Sequence, residues 1–358
     1  KHNGNKYVRH FTCWNQLLCM VFGQLTTRDS LRDLITVIEA HNPKSYHLGF
    51  GKSVTRSNLA KANEKRNSKI FEEFAYCLID IARRKRSDDD FVVKGKVYAF
   101  DSSTIDLCLS VFWWAKFRKA KGGIKLHTLF DITTRIPAFI HITAATVNDM
   151  NAMDVIPYEA GAHYVFDRGY VDYQRLYKIT TLQAYFVIRA KSNLKFRRMY
   201  SKKTDKSTGV LCDQLGKLTG FYVSKDYPDK LRRVKFHDQE TGRTFVFLTN
   251  NNELSALEIA LLYRNRWQVE LFFKWIKQNL KIKAFLGNTD NAVITQVMVA
   301  LCFYLILTFI KFQSRIGQSL QQMMRLIHTN LFSRRSLIEL FKPPPKDLSV
   351  SPQLGLAI

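Results

Sequence analysis

Acidic side chains are in short supply in this chain of 358 residues: 30 Asp and Glu stand against 55 Lys and Arg, a formal charge of +25. An excess of that size works against cationic ligands and attracts polyanions over long range. The basic residues recur as Arg83-Arg84-Lys85-Arg86, residues 116–125, 191–206 and 230–235, interleaved with aromatics. They form no single juxtamembrane block, which favours nucleic acid over an anionic bilayer as partner. Cysteine is sparse too. Cys13, Cys19, Cys77, Cys108, Cys212 and Cys302 are scattered, which excludes a disulfide-stapled scaffold and leaves reduced thiols. Cys13 and Cys19 with His10, His41 and His47 match none of the usual zinc spacings. Long apolar runs are missing: the strongest, Val297 to Ile310, has about 14 residues and includes Cys302 and Thr308. A bilayer needs ~20, so this stretch reads as a buried core helix and no membrane partner is expected. No internal repeat and no signal-peptide pattern is visible; the chain opens at Lys1 without an initiator Met, from which nothing follows.

The length suits two or three domains. Residues 1–92 read as helical, with helices near Phe11 to Leu25, Asp29 to Ala40, Ser57 to Glu64 and Ser68 to Arg83, and the charged run Arg83 to Asp90 as a linker. The stretch Thr55 to Arg66 offers Arg56, Ser57, Asn58, Lys61 and Lys65 to phosphates or base edges; a solvated basic helix is the plain alternative. From Lys94 the pattern changes to strands at Lys94 to Asp101, Ile124 to Asp131 and Ala138 to Thr146. A short helix (Asp149 to Tyr158), a strand (His163 to Asp167), a helix (Asp172 to Leu182) and a strand (Tyr185 to Ala190) follow. That order, β-β-β-α-β-α-β, is the order of a ribonuclease H-like core. Residues 191–252 form a basic, β-rich insertion with strands at Gly220 to Ser224, Arg232 to Phe236 and Thr244 to Leu248. Residues 253–290 return to the core with one long helix, Ser255 to Leu280. Residues 291–358 are helical until Pro343-Pro344-Pro345, with a poorly ordered tail beyond.

Two of the strands are apolar runs that close on an aspartate, Val97-Tyr98-Ala99-Phe100-Asp101 and His163-Tyr164-Val165-Phe166-Asp167. Open α/β sheets carry their chemistry at such carboxyl ends. The long helix adds a third carboxylate. Tyr263, Arg266, Glu270 and Lys277 project within roughly 60° of one another at ~100° per residue, a polar stripe on a helix whose Leu257, Trp267, Leu271, Phe272 and Trp275 call for burial on most sides. A structural Arg/Glu/Lys salt-bridge ladder is the competing reading. Asp101, Asp167 and Glu270 supply hard oxygen ligands suited to Mg²⁺ or Mn²⁺, and two such ions serve an in-line displacement at phosphorus. Arg266, Lys277 and Tyr263 can hold a phosphate beside them. Asp106, Asp131, Asp149 and Asp172 lie near the same strand ends and read as caps or turns. His127 and His163 read as core histidines, and Trp113 and Trp114 as core or DNA-flanking surface.

In these residues the chain resembles prokaryotic DDE transposases of the insertion-sequence-four class, whose YREK signature is matched by Tyr263, Arg266, Glu270 and Lys277. The first aspartate fits within Phe100-Asp101-Ser102-Ser103-Thr104-Ile105-Asp106-Leu107 and the second within Phe166-Asp167-Arg168-Gly169-Tyr170. Gly123-Ile124-Lys125-Leu126-His127 is similar to the family's second core strand, and Ser30-Leu31-Arg32-Asp33 with Tyr46-His47-Leu48-Gly49 to a helical domain that precedes the core in one branch. The resemblance covers about residues 7–340 and implies cut-and-paste transposition: nicking at the element end, hairpin formation, hairpin opening and strand transfer. It implies two Mg²⁺ held by Asp101, Asp167 and Glu270, with Mn²⁺ as substitute. Double-stranded DNA, as terminal inverted repeats and target, would be gripped by Tyr263, Arg266 and Lys277; Lys125, Arg168 and, on the Thr55 to Arg66 segment, Arg56 and Lys61 are further candidate DNA contacts. It further implies a homodimer in the synaptic complex and a cytoplasmic, nucleoid-associated location. One departure stands out: residues 191–252 contain no Trp, so stacking on a flipped base would fall to Phe221 or Tyr222. A structure-selective nuclease on the same fold and a non-catalytic DNA-binding descendant remain as alternatives.

Overall fold

The computed structural model describes the chain apart from residues 47, 51–53, 86–94, 108–111, 119–120, 283, 334 and 342–358. His47, Cys108, the charged run beyond Lys85, the start of the first strand at Lys94, the proline triplet and the tail therefore lie outside the described residues. The N-terminal part folds as α1 (Cys13–Leu25), α2 (Leu31–Ala40), α3 (Asn42–Ser45), α4 (Arg56–Lys65) and α5 (Lys69–Lys85). Capping residues set these starts: Thr12, Ser30 and Thr55 accept from the amides of Asn15, Asp33 and Asn58, which would otherwise lack partners. Arg83 to Lys85, expected to open a linker, instead complete α5. Arg83 is held there by an ion pair of 3.0 Å to the buried Asp131 and a bond of 2.7 Å to the Tyr98 hydroxyl.

The central part comprises β1 (Val97–Leu107), β2 (Lys116–Arg118), β3 (Lys121–Asp131), β4 (Ile136–Ala144), β5 (His163–Phe166), α6 (Tyr173–Thr181) and β6 (Tyr185–Arg189). The helix expected near Asp149 is a 3-10 segment, Asp149–Val155. Strand β4 pairs antiparallel with β3 and β3 antiparallel with β1, whereas β5 and β6 run parallel to β1. Three antiparallel strands followed by two parallel ones make the ribonuclease H-like core. Beyond it come β7 (Phe196–Lys202), β8 (Val210–Leu218), α7 (Phe221–Asp226), β9 (Leu231–Asp238) and β10 (Arg243–Thr249). Residues 191–252 do not form a separate body. β10 pairs with β6, and β9, β8 and β7 follow in order, so among the described residues one sheet of ten strands results. The expected strand Gly220 to Ser224 is wrong. Gly220 has φ +135°, which breaks an extended run, and the Ser224 amide closes a helical turn onto its carbonyl at 2.9 Å.

The chain ends in α8 (Ala256–Asn265), α9 (Trp267–Asn279), α10 (Asp290–Gln313), α11 (Leu320–Asn330) and α12 (Leu337–Leu340). Helix α10 exceeds the expected apolar run. Its 24 residues are, by length and composition alone, enough to cross a membrane, yet 78% of its most apolar window is buried, with α1, α4, α5 and α11 packed round it. The N-terminal and C-terminal helices thus share one core. That core continues onto one face of the sheet through Val97, Ala99, Ile124, Val165, Val187 and Phe247, while Tyr98, Phe100, Tyr164, Phe166 and Ile188 pack on the other. Period-two alternation therefore places Asp101 and Asp167 on the face covered by α8 and α9.

Candidate active site

The parallel pairing of β1 with β5 ends at Phe100 opposite Phe166, so Asp101 and Asp167 come next on adjacent strands. Asp101 is not at a strand end as expected. β1 runs on to Leu107, paired with β3 alone, and Asp101 stands opposite Thr128. Its Oδ1 accepts from the Ser102 amide at 2.8 Å, and Tyr170 braces Ser102 from below with a hydroxyl bond of 3.2 Å.

The expected single helix is two. Ser255 and Glu258 form a full capping box at the start of α8, but at Arg266 the bonding tightens: its amide donates to the Tyr263 carbonyl and its own carbonyl accepts from Val269, both at 3.1 Å and three residues apart. The junction divides the polar stripe. Tyr263 donates its hydroxyl to Asp167 Oδ1 at 2.8 Å. Arg266 forks across two carboxylates, Nη1 to Asp101 Oδ2 at 3.2 Å and Nη2 to Glu270 Oε1 at 2.6 Å. Lys277 lies two turns beyond Glu270, about 10 Å along the axis, where it lines a cavity of about 410 Å³ with Thr27, Asp29 and Lys281. Nor is the rest of the helix wrapped on most sides: Trp267 and Leu271 are 58% and 49% exposed.

Burial, with added repulsion from Glu270 and Asp167, raises the Asp101 pKa despite the Ser102 amide and Arg266. Burial also acts on Asp167, but the Arg168 amide, the Tyr263 hydroxyl, Arg266 and Arg189 outweigh it and hold that carboxyl below its usual range. Burial and the neighbouring Asp167 push the Tyr263 phenol up to about 12, so it stays a donor at neutral pH. Burial works against the Arg266 cation, yet Tyr263, Asp101 and Glu270 more than restore it. Aromatic side chains of β10 wall the site, with Phe247 and Phe245 at 4.7 and 6.2 Å from the Tyr263 ring and Arg189 stacked over Phe245 at 5.1 Å.

Among the described residues no group of three or more His, Cys, Asp or Glu side chains lies close enough to hold a metal ion. The expected convergence of the three carboxylates around two ions is thus not seen, because the Arg266 guanidinium stands between Asp101 and Glu270. The donor set itself suits a hard divalent cation: all-oxygen and anionic, with the Asp101 pKa raised by burial first and by the neighbouring Glu270 and Asp167 after it.

Other expected contacts divide clearly. Lys125 turns inward, 12% exposed, bound to Asp149 at 3.0 Å and to the Val147 carbonyl at 2.7 Å. Arg168 is exposed beside Asp167. Arg56 and Lys61 are exposed on α4, and Lys61 lines a groove of about 630 Å³ with Lys6, Arg9, Lys65 and Arg66. Asp131 and Asp172 cap turns, through Thr133 and Arg175 amides, as read from sequence, and Asp106 is exposed. His127 and His163 are buried, bonded to Thr143 and Asn251. Trp114 is half-buried and donates to the Asn288 carbonyl at 2.7 Å. Cys19 is fully buried, and burial pushes its thiol up to about 12.

Sequence reasoning missed Tyr170, Phe245, Phe247 and the buried pair Asp213 and Arg232, in which Arg232 Nε and Nη2, one edge of the guanidinium, each donate to an Asp213 carboxylate oxygen at 2.8 Å. Arg232 also donates to the carbonyls of Asn251 and Leu254, just before the α8 cap. The near-continuous basic run from Lys230 to Lys235 hides that inward arginine.

The Transposase DDE domain family matches residues 94–306, a span that holds both aspartates, Glu270 and the residues around it, and a Domain of unknown function (DUF4372) matches residues 1–51. A putative transposase of Sinorhizobium fredii is 35% identical over 292 residues, covering 80% of each chain. A probable transposase for insertion sequence element IS5377 of Geobacillus stearothermophilus is 29% identical over 228 residues, 60% of this chain and 56% of that one. A putative transposase for insertion sequence element IS4SA of Synechocystis is 22% identical over 296 residues, 80% and 81%. With two aspartates side by side on parallel core strands, a glutamate on the covering helix and this family match across more than half its length, the chain belongs to the DDE transposase family.

Proposed function

We propose that this transposase cuts at the ends of an insertion-sequence element and transfers them into target DNA by a cut-and-paste route through a hairpin, with Asp101, Asp167 and Glu270 as its catalytic carboxylates. The observation that carries the reading is the tie between Asp101 and Glu270 through one guanidinium, with Asp167 on the next parallel strand. Asp101, Asp167 and Glu270 would hold Mg²⁺, or Mn²⁺ in its place; such ions supply charge neutralisation at the scissile phosphate and activation of the attacking oxygen. Tyr263 keeps Asp167 ionised and oriented. Arg266 and Lys277 hold phosphates next to the cut, and Arg168, exposed beside Asp167, extends that grip.

Duplex DNA is the partner the charge favours. The groove of Lys6, Arg9, Lys61, Lys65 and Arg66, with Arg56 on the same helix, suits a terminal repeat. Phe221 and Tyr222, 70% and 76% exposed on α7, are available to stack on an unpaired base. The working assembly is a homodimer on two element ends, acting at the nucleoid. The N-terminal helices serve DNA recognition, the sheet and α9 chemistry, and β7 to β10 the grip near the cut.

The test uses a labelled element end with Mg²⁺ or Mn²⁺. Asp101→Ala, Asp167→Ala and Glu270→Ala should each abolish nicking and leave DNA binding largely intact, since binding comes mainly from basic groups elsewhere. Arg266→Ala and Lys277→Ala should reduce hairpin and joined products more than the first nick, because the later steps need the end held in one geometry. Near-normal nicking by any carboxylate variant would remove that residue from the site. Nicking without joining by the wild type would favour a nuclease.

A further inference from the structure

We infer that Arg266 is the internal counter-cation of the metal-free carboxylate site and has to leave Asp101 and Glu270 when a divalent ion enters; this rests on the proposal that those carboxylates hold metal. The side chain is 12% exposed and spends one nitrogen on each carboxylate, the first from β1 and the second from its own helix. A magnesium ion takes oxygens at about 2.1 Å. The fork instead holds the two carboxylates through separate nitrogens at 3.2 and 2.6 Å, so ion and guanidinium cannot fill that gap together.

The hold is strong in charge and incomplete in bonding. Arg266 Nε is buried without a hydrogen-bond partner among the described residues and the guanidinium lies 5.6 Å over the Tyr263 ring, so the two carboxylates and that ring face orient the group and no full set of hydrogen bonds does. Its backbone sits at the junction of α8 and α9, where each flanking bond spans three residues, and these bonds do not involve the side chain. The guanidinium can therefore swing off the carboxylates with the helices in place. Two divalent ions would take over its neutralising role, and the released cation would then face the phosphates that approach the same carboxylates. One residue thereby guards the empty site and serves the filled one.

Metal binding is read without DNA, from the electron paramagnetic resonance signal of free Mn²⁺, and metal-free stability from thermal melting. Arg266→Ala should bind Mn²⁺ about tenfold tighter than wild type, the size of one released charged hydrogen bond, and should melt lower without metal. Arg266→Lys keeps the charge but cannot fork across both carboxylates, so its affinity should move toward that of Arg266→Ala. Equal affinities in all three proteins would overturn the inference. So would a lysine variant identical to wild type beside a tighter alanine variant, which is the pattern of a merely nearby charge. Should Arg266→Ala fail to fold, the wild type decides: the Nε–H resonance of Arg266, assigned by its loss in Arg266→Lys, should move with Mg²⁺ as binding saturates, and a fixed resonance overturns the inference. Asp101→Asn separates the two ideas. Mn²⁺ binding unaffected by Asp101→Asn, in the wild-type and the Arg266→Ala background alike, refutes the carboxylate metal site itself, whereas its loss in both leaves the guanidinium question to the other variants.

Discussion

Removal of the Arg232 guanidinium tests how β8 and β9 control the active-site helix. Arg232 is 2% and Asp213 6% exposed, and their two bonds of 2.8 Å form a closed, parallel fork. Arg232 Nη1 adds bonds of 3.2 and 2.6 Å to the carbonyls of Asn251 and Leu254, the latter directly before the Ser255 cap of α8. Arg232→Met leaves a buried carboxylate without counter-charge, a change that costs about 3–5 kcal/mol. Adding Asp213→Leu removes that charge and should recover most of the loss; the two carbonyls without donors retain a penalty of about 1–3 kcal/mol. Urea denaturation of both single variants and the double variant gives the coupling by a double-mutant cycle, expected at about 2 kcal/mol or more. Cleavage by the double variant should stay low although its stability returns, because the start of the helix bearing Tyr263 is no longer held and orientation is lost. Singles that cost under about 1 kcal/mol, or full cleavage in the double variant, would refute this account of the helix anchor.

Two further outcomes follow from buried and exposed charge. Burial first, then His141 and Lys125, lower the His127 pKa from 6.5 to about 4, with Asp149 opposing. The unfolded chain therefore takes up a proton below pH 6.5 that the folded one refuses, so stability is complete above 6.5 and falls as pH drops toward 4, by at most about 1.4 kcal/mol per pH unit. Urea melts from pH 7.5 to 4.5 should show His127→Gln with a shallower slope than wild type, and equal slopes would remove His127 as the cause. Lys61→Gln with Lys65→Gln should flatten the log–log salt dependence of DNA affinity by about 2, near 0.9 per lost phosphate contact. Both side chains are exposed, so melting should not change. An unchanged salt slope would move the DNA contact away from this groove.

What the chain states locally proved readable wherever a rule acts over a few residues. The helix start at Ser255 was legible because a short side chain reaches the Glu258 amide three positions on. Continuous apolar runs marked the first half of β1 and all of β5, and the aspartates that follow them came out side by side because two parallel strands share a register. The order of strands and the spacing of Tyr263, Arg266, Glu270 and Lys277 were enough to point to the family. Tertiary structure decided the rest. That Lys125 pairs with Asp149, that β7 to β10 extend the core sheet and that α10 packs among α1, α4, α5 and α11 depended on faces contributed by distant segments. The same holds for Arg266: its break in the helix and its fork onto Asp101, 165 residues away, have no local periodicity to announce them. Hydrogen bonding within a turn and alternation along a strand are written in neighbouring residues, whereas the partner of a buried charge is chosen only when two surfaces close and exclude water between them.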